Sequence, residues 1–361
     1  MLPENFRYRL FDDLSVRTMR YVTAVPSDEA TGLTARVYAM IRDDFFMNGS
    51  LTSRSRVPEL LAAIWTAGRE TMLVEGRLGR TTKEAICAVL SEINDCPYCG
   101  DMLVSLVHAG DRDETAKALL RTDLATIDDP LMRRRLEWVE AVGTPGTDAI
   151  PPCPFTAEEL PEVLGSIMAM ADINRYSHVV MDGSPVNPPG KLKDFALRLF
   201  GNELRATKRR PAEPGRALPL LPSAELPEDL AWARPDPIVA DALARYAATI
   251  EREATPAVPM AVQWRVHESL AAWRNERMPL QRSWVESELK GLSGPDRALA
   301  RLAIILAKAP YQVADDLVQP VLDGNEDRFV RQLAWMSFTA ARRYARIVAD
   351  QVSSEVAIAA A

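Results

Sequence analysis

Cysteine and histidine are scarce, with four and three in 361 residues. So few cysteines exclude a disulfide-stapled scaffold. Zinc is poorly served as well, because the single CxxC pair has no second ligand pair at zinc-site spacing. No glycine-rich phosphate loop or nucleotide-binding fingerprint is present. Excess positive charge is missing too: the formal net charge is −7, which argues against a general nucleic-acid binder. No stretch reaches membrane-spanning length without a charge. The opening residues MLPENFRYRLFDDLS show no basic-then-apolar signal pattern, so the expected setting is the cytoplasm. Alternating β-branched runs are few, which leaves little to build strands from.

What remains is helical periodicity. Apolar residues recur at three- and four-residue intervals over 31–47, 57–75, 82–93, 97–108, 113–122, 129–142 and 157–181, predicting an all-α fold of packed amphipathic helices. The 47% hydrophobic content suffices for a large core, and the length suggests two domains. Between 183 and 228 prolines 185, 188, 189, 211, 214, 219, 222 and 227 mark a connection with one short helix near 191–206. Its Lys208 to Arg210 cluster reads as solvated linker, with an acidic partner as the alternative. Helical periodicity resumes near 236.

The chemistry concentrates between Thr81 and Cys99. Thr81 and Glu84 have capping-box spacing. Ala85, Ile86, Ala88, Val89 and Ile93 then give a helix with an apolar stripe, broken at Asn94-Asp95. Pro97 suits the first position of a second helix. Cys96 is thereby placed near the N-cap and Cys99 in the first turn, where unpaired N–H groups and the helix dipole favour a thiolate. Sulfurs one turn apart can also form a disulfide after modest rearrangement. Cys87 lies on the apolar helix and reads as core; Cys153, in PPCPF, reads as a loop residue.

An internal repeat is also expected. Ile86 to Cys99, ICAVLSEINDCPYC, aligns with Leu299 to Gln312, LARLAIILAKAPYQ, with the Pro-Tyr pair in register. Ala309 and Gln312 then stand where the first copy has Cys96 and Cys99, and Arg297 stands where it has Glu84. HAGDRDETAKAL likewise matches LDGNEDRFVRQL, and VPELLAAIW matches VHESLAAWR. Their common order points to duplication: residues 1–182 as a domain with CxxC, 183–228 as linker, and 229–361 as a degenerate copy without the cysteines.

These features resemble the alkylhydroperoxidase D-like, or carboxymuconolactone decarboxylase, superfamily. The resemblance rests on a glutamate twelve residues before CxxC, the ordered helices around it, and the later Asn174-Arg175 pair in MADINRYSHVV. It implies an all-helical fold, homo-oligomerisation and, in the cysteine-bearing branch, a thiol site that reduces peroxides or disulfides. In that reading Cys99 matches the peroxide-attacking cysteine, Cys96 the resolving cysteine and Glu84 the acidic member of a proton relay. No metal or organic cofactor is required; the partners are a hydroperoxide or small organic substrate and an external dithiol reductant. The sequence departs from the pattern at Leu103, where the family has its relay histidine. In an antiparallel hairpin Glu84 comes level with 103–105, and a leucine there carries no proton. His108 is out of phase with Cys99 on the helix; His178, water, Tyr98 or Ser105 remain as substitutes. A noncatalytic helical binding or assembly protein, and an enzyme acting on another small organic molecule, are the alternative functions.

Overall fold

The computed structural model describes residues 10–359 apart from 14, 15, 148, 185, 187 and 189–191, with side chains as far as 353. Pro185, Pro189 and the start of the N-terminal stretch lie outside the described residues. Among those described the protein is all-α, its one β feature an isolated antiparallel bridge between Met19 and Met181. In the first half the helices are α1 (Gly32–Asp44), α2 (Gly49–Thr52), α3 (Pro58–Gly68), α4 (Arg80–Ile93), α5 (Pro97–Ala109), α6 (Asp113–Leu120), α7 (Pro130–Gly143) and α8 (Leu160–Val180). Then come α9 (Leu192–Leu204), α10 (Pro237–Thr249), α11 (Met260–Ala272), α12 (Gly294–Lys308), α13 (Asp315–Val318) and α14 (Glu326–Ala359).

Local chemistry sets many of these starts. Asp129 and Asp236 each cap a helix opened by the proline that follows, accepting from the next two exposed amides at 2.9–3.1 Å. Asn48 caps α2 in the same way, accepting from Leu51 N at 3.3 Å. The periodic run 57–75 is α-helical only to Gly68, after which Arg69–Leu73 forms a π turn. That wider turn swings Glu70 onto the connecting segment, where its carboxylate accepts from the amides of Gly215 and Ala217 at 2.8 and 2.9 Å. A second π turn, Ile250–Ala254, ends α10.

Helix α8 is the axis of the molecule. Every residue in it except Leu160 and His178 is buried, including Glu162, Asp172, Asn174 and Arg175, whose polar groups therefore need partners within the protein. It packs along α14, whose 34 residues span about 50 Å at 1.5 Å per residue, and against α3, α4 and α10. The apolar core runs through both halves, from Leu61 and Ile86 to Leu302 and Val348.

The connection is ordered over α9, which lies on α5. Gly201 makes that approach possible, since a Cβ there would sit 2.4 Å from the Ser105 carbonyl oxygen. The solvated reading of Lys208 is overturned: the side chain turns inward, with Nζ on the Leu106 carbonyl at 2.7 Å, on Thr81 Oγ1 at 3.1 Å and on the Glu84 carboxylate. In the second half Pro310 opens only a 3₁₀ turn, Pro310–Gln312, followed by the short α13.

Candidate active site

The hairpin of α4 and α5 forms as its sequence predicts. Asn94 ends α4, and Asp95 adopts a left-handed conformation, φ +52°, which the short polar residues tolerate best after glycine. Cys96 N then reaches back to Ser91 O at 2.8 Å. Cys96 is the N-cap residue of α5, Pro97 its first residue, and Cys99 lies in its first turn. The two sulfurs are not bonded to each other and are nearly closed off, the residues being 3% and 4% exposed.

Helix α8 covers the pair with polar groups drawn from an otherwise apolar face. Burial alone pushes the Cys99 thiol up. The polar groups of Cys96, Asn174 and Ser177 near the sulfur, together with the positive charge of Arg54, outweigh it and bring Cys99 below the ordinary thiol value. Cys96 moves the other way, pushed well up by burial and by its hydrogen bond and proximity to Cys99. The two thiols therefore titrate as a pair, with the downward shift on Cys99 and the upward one on Cys96.

Asn174 and Arg54 are themselves held. The Asn174 amide donates to Ser91 Oγ at 2.9 Å, and its carbonyl accepts from Asn94 Nδ2 at 3.2 Å. The Ser177 hydroxyl is buried and meets no partner at full hydrogen-bond geometry, the Cys99 sulfur included. Arg54, 1% exposed, donates to Ser50 O at 2.5 Å and to Asp172 Oδ1 at 2.6 Å. Its guanidinium carbon stacks 3.5 Å over the Tyr176 ring. The other Asp172 oxygen accepts from the Tyr246 hydroxyl at 2.6 Å, so α10 in the second half contributes to the setting of Arg54.

A cavity of about 60 Å³ adjoins Cys99, room for about two waters at liquid density. Its walls are largely apolar and include Phe46, Trp65, Met102, Leu103 and Ile173. Two lining residues, Trp65 and Arg69, carry a buried nitrogen, Nε1 and Nη2, with no hydrogen-bond partner.

Glu84 is fully buried, but not as a capping-box residue. Gly79 occupies the N-cap of α4, and Thr81 falls inside the first turn. Its carboxylate is shared by Arg80 Nε at 2.9 Å, one turn away on the same helix, and the Lys208 ammonium. Burial lowers the lysine's affinity for its proton, while Glu84 favours keeping it. Because Lys208 Nζ also holds the Leu106 carbonyl, Glu84 comes level with Leu106, one turn past Leu103.

The structure brings Cys96 and Cys99 together and places Glu84 in a separate ion-pair cluster. The candidate substitutes for a histidine are engaged elsewhere. His108 Nδ1 is 2.7 Å from Asp113. His178 Nδ1 is 3.2 Å from Asp95 O, and burial lowers its pKa. Tyr98 OH accepts from Gly49 N at 2.9 Å, and Ser105 Oγ bonds back to Asp101 O at 2.9 Å. Arg175 bridges helices, donating from Nε and Nη2 to the Ala307 carbonyl of α12 at 3.2 and 3.0 Å. Cys87 is buried, and burial with Glu84 raises its thiol pKa. Cys153 is half-buried near the Phe155 carbonyl. Among the described residues no group of three or more His, Cys, Asp or Glu is arranged to hold a metal.

Arg54, Asp172, Ser177, Lys208 and Tyr246 were not indicated by motif spacing. One signal was available: Asp172, Asn174 and Ser177 interrupt the apolar surface of the predicted helix 157–181, and polar residues in a helix buried on all sides need partners.

The sequence profile of the Carboxymuconolactone decarboxylase family matches residues 58–141. A Mycobacterium tuberculosis protein named alkyl hydroperoxide reductase is 32% identical over 333 residues, covering 91% of this chain and 94% of that protein. No solved structure matches.

Proposed function

The chain belongs to the carboxymuconolactone decarboxylase family, within the alkylhydroperoxidase D-like superfamily, and from that premise we propose that it is a thiol-dependent oxidoreductase that reduces peroxides through Cys99 and Cys96. The observation that carries this reading is the placement of the pair: Cys96 at the N-cap and Cys99 in the first turn of α5, both buried, with Cys99 lining an apolar cavity, its thiol shifted down and that of Cys96 up. A nucleophile and a resolving partner require that division. The name of the mycobacterial relative supports a peroxide as the oxidant.

In the proposed cycle the Cys99 thiolate attacks the outer oxygen of a hydroperoxide. The S–O bond forms and the O–O bond breaks. The departing alkoxide ends as an alcohol, taking the equivalent of the proton that Cys99 gave up. The Cys96 sulfur then attacks the sulfenic acid, forming the disulfide and releasing water. An external dithiol reduces the disulfide and is itself oxidised. Asn174 and Ser177 hold the charge on Cys99 before attack, and the apolar cavity excludes bulk water from it. Glu84, engaged by Arg80 and Lys208, acts in this scheme by fixing the α4–α5 hairpin.

The test is peroxide consumption driven by a dithiol, with wild type, Cys99→Ser and Cys96→Ser compared. Cys99→Ser is expected to abolish turnover, and Cys96→Ser to stop the cycle after the sulfenic acid, visible as a dimedone adduct at Cys99. Turnover that survives Cys99→Ser sinks the proposal. A second reading, a noncatalytic scaffold, draws on Leu103 and the occupied Glu84; it predicts no turnover with both cysteines intact.

We read the second half as a degenerate copy that lost the sulfurs and, after Pro310, the long helix that α5 forms in the first half. In support, the segments aligned by sequence fall on α3 and α11 and on α4 and α12.

A further inference from the structure

A cleft of about 890 Å³ lies far from the cysteines in sequence, between α11 and α14. Its apolar surface is formed by Leu270 on α11 and by Trp335, Phe338 and Ile347 on α14. Four arginines line it: Arg274, Arg342, Arg343 and Arg346.

Their partners differ. Arg342 is neutralised by Asp229 through two bonds, at 2.6 and 2.5 Å. Arg346 has Asp350 at 3.8 Å along the helix. Arg274 and Arg343 have no carboxylate at ion-pair distance among the described residues. Both instead donate to the same two carbonyls at the end of α11. Arg274 Nη1 reaches Ala271 O at 2.7 Å and Trp273 O at 3.1 Å; Arg343 Nη2 reaches them at 3.3 and 2.5 Å.

A helix C-terminus carries about half a negative charge. Two full positive charges share it, and Asp350 and Glu276, which also face Arg343, stand farther off. Arg274 and Arg346 repel the charge on Arg343, as its lowered pKa reflects after the larger effect of burial. Arg343 Nε is buried with no acceptor. Capping one helix needs one cation, so the second guanidinium is in surplus. A planar fork with free donors suits a carboxylate or phosphate, and the aromatic and aliphatic wall beside it suits a hydrocarbon chain.

We propose that the cleft between α11 and α14 is a binding site for an anionic amphiphile, its carboxylate or phosphate head held by Arg274 and Arg343 and its apolar chain lying along Leu270, Trp335, Phe338 and Ile347. The site is independent of the thiol chemistry.

Calorimetric titration of the full-length protein with decanoate, decyl phosphate, decanol and inorganic phosphate tests it. Decanoate or decyl phosphate is expected to bind at least about tenfold more tightly than decanol or inorganic phosphate, the value of a charge-assisted head contact added to chain burial. Arg274→Gln, at an exposed position, and Arg343→Met are each expected to weaken the amphiphile about tenfold while decanol binding stays unchanged. If Arg343→Met fails to fold, Arg274→Gln carries the comparison. Tight inorganic phosphate with no gain from the chain overturns the amphiphile. Decanoate binding no tighter than decanol, or undiminished in Arg274→Gln, overturns the site. So does loss of self-association in Arg274→Gln without any effect on ligand, which assigns the cleft to a second copy of the chain.

Discussion

A thiolate buried without an ion pair of its own depends on the polar groups around its sulfur, and two of those at Cys99, Asn174 and Ser177, can be removed singly. Ser177 is the cleaner of the two, because its hydroxyl holds no other group, whereas Asn174 also ties Ser91 and Asn94. Ser177→Ala should raise the Cys99 pKa and slow its alkylation by iodoacetamide at neutral pH about tenfold, a hydrogen bond to a charged acceptor being worth about 1.5 kcal/mol. Mass spectrometry at Cys99 across a pH series reads this directly, and an unmoved profile removes Ser177 from the site. Linkage gives the sign for stability. Since the folded thiol is lowered, its contribution is fully present above the ordinary thiol pKa and is lost as pH falls through the folded value. Ser177→Ala should therefore lower the melting temperature in alkaline buffer and not in acid. The CxxC geometry was legible because Asn94 to Cys99 are neighbours in the chain. Arg54 was not, since its carboxylate lies 118 residues away and no periodicity links the two.

At the scale of the element, the α4–α5 hairpin is closed by charge as well as by apolar packing. Spacing placed Glu84 in a capping box with Thr81, but Gly79 caps the helix instead. The arginine four residues before Glu84 then becomes its neighbour, as one helical turn requires. The second cation comes from Lys208, 124 residues on, in a segment whose prolines and charges gave it the look of solvated linker. Tertiary burial decided both. Glu84→Gln takes from Arg80 and Lys208 the one carboxylate they share, a change that costs about 3 kcal/mol or more when one partner of a buried pair is removed. The melting temperature should fall, and hydrogen exchange should rise around Thr207 and Lys208, whose segment loses its anchor. An enzyme that loses turnover while keeping its melting temperature would instead make Glu84 a proton carrier.

For the whole molecule, the question is whether the halves unfold together. The all-α architecture was readable from helical periodicity, yet nothing periodic tells that α8 and α14 lie along each other or that Tyr246 reaches Asp172. Those contacts join residues of the two halves in one apolar core and through buried polar links: Tyr246 to Asp172 at 2.6 Å and Arg175 to the Ala307 carbonyl at 3.0 Å. Unpairing either half would expose Arg54 and Asp172 along with the apolar sides of α8 and α14. Partial unfolding therefore forfeits most of the core. A single calorimetric transition is expected, with calorimetric and van't Hoff enthalpies equal. Leu333→Ala, at a fully buried position on α14, should destabilise by about 3 kcal/mol and shift that one transition intact. The same variant should speed alkylation of the buried Cys87 in denaturant by the same free energy, because the thiol in the first half becomes reachable only when the second half opens. Two separate transitions, with Cys87 indifferent to Leu333→Ala, would show instead that each half holds its own fold and that the α8–α14 contact is a docking surface between them.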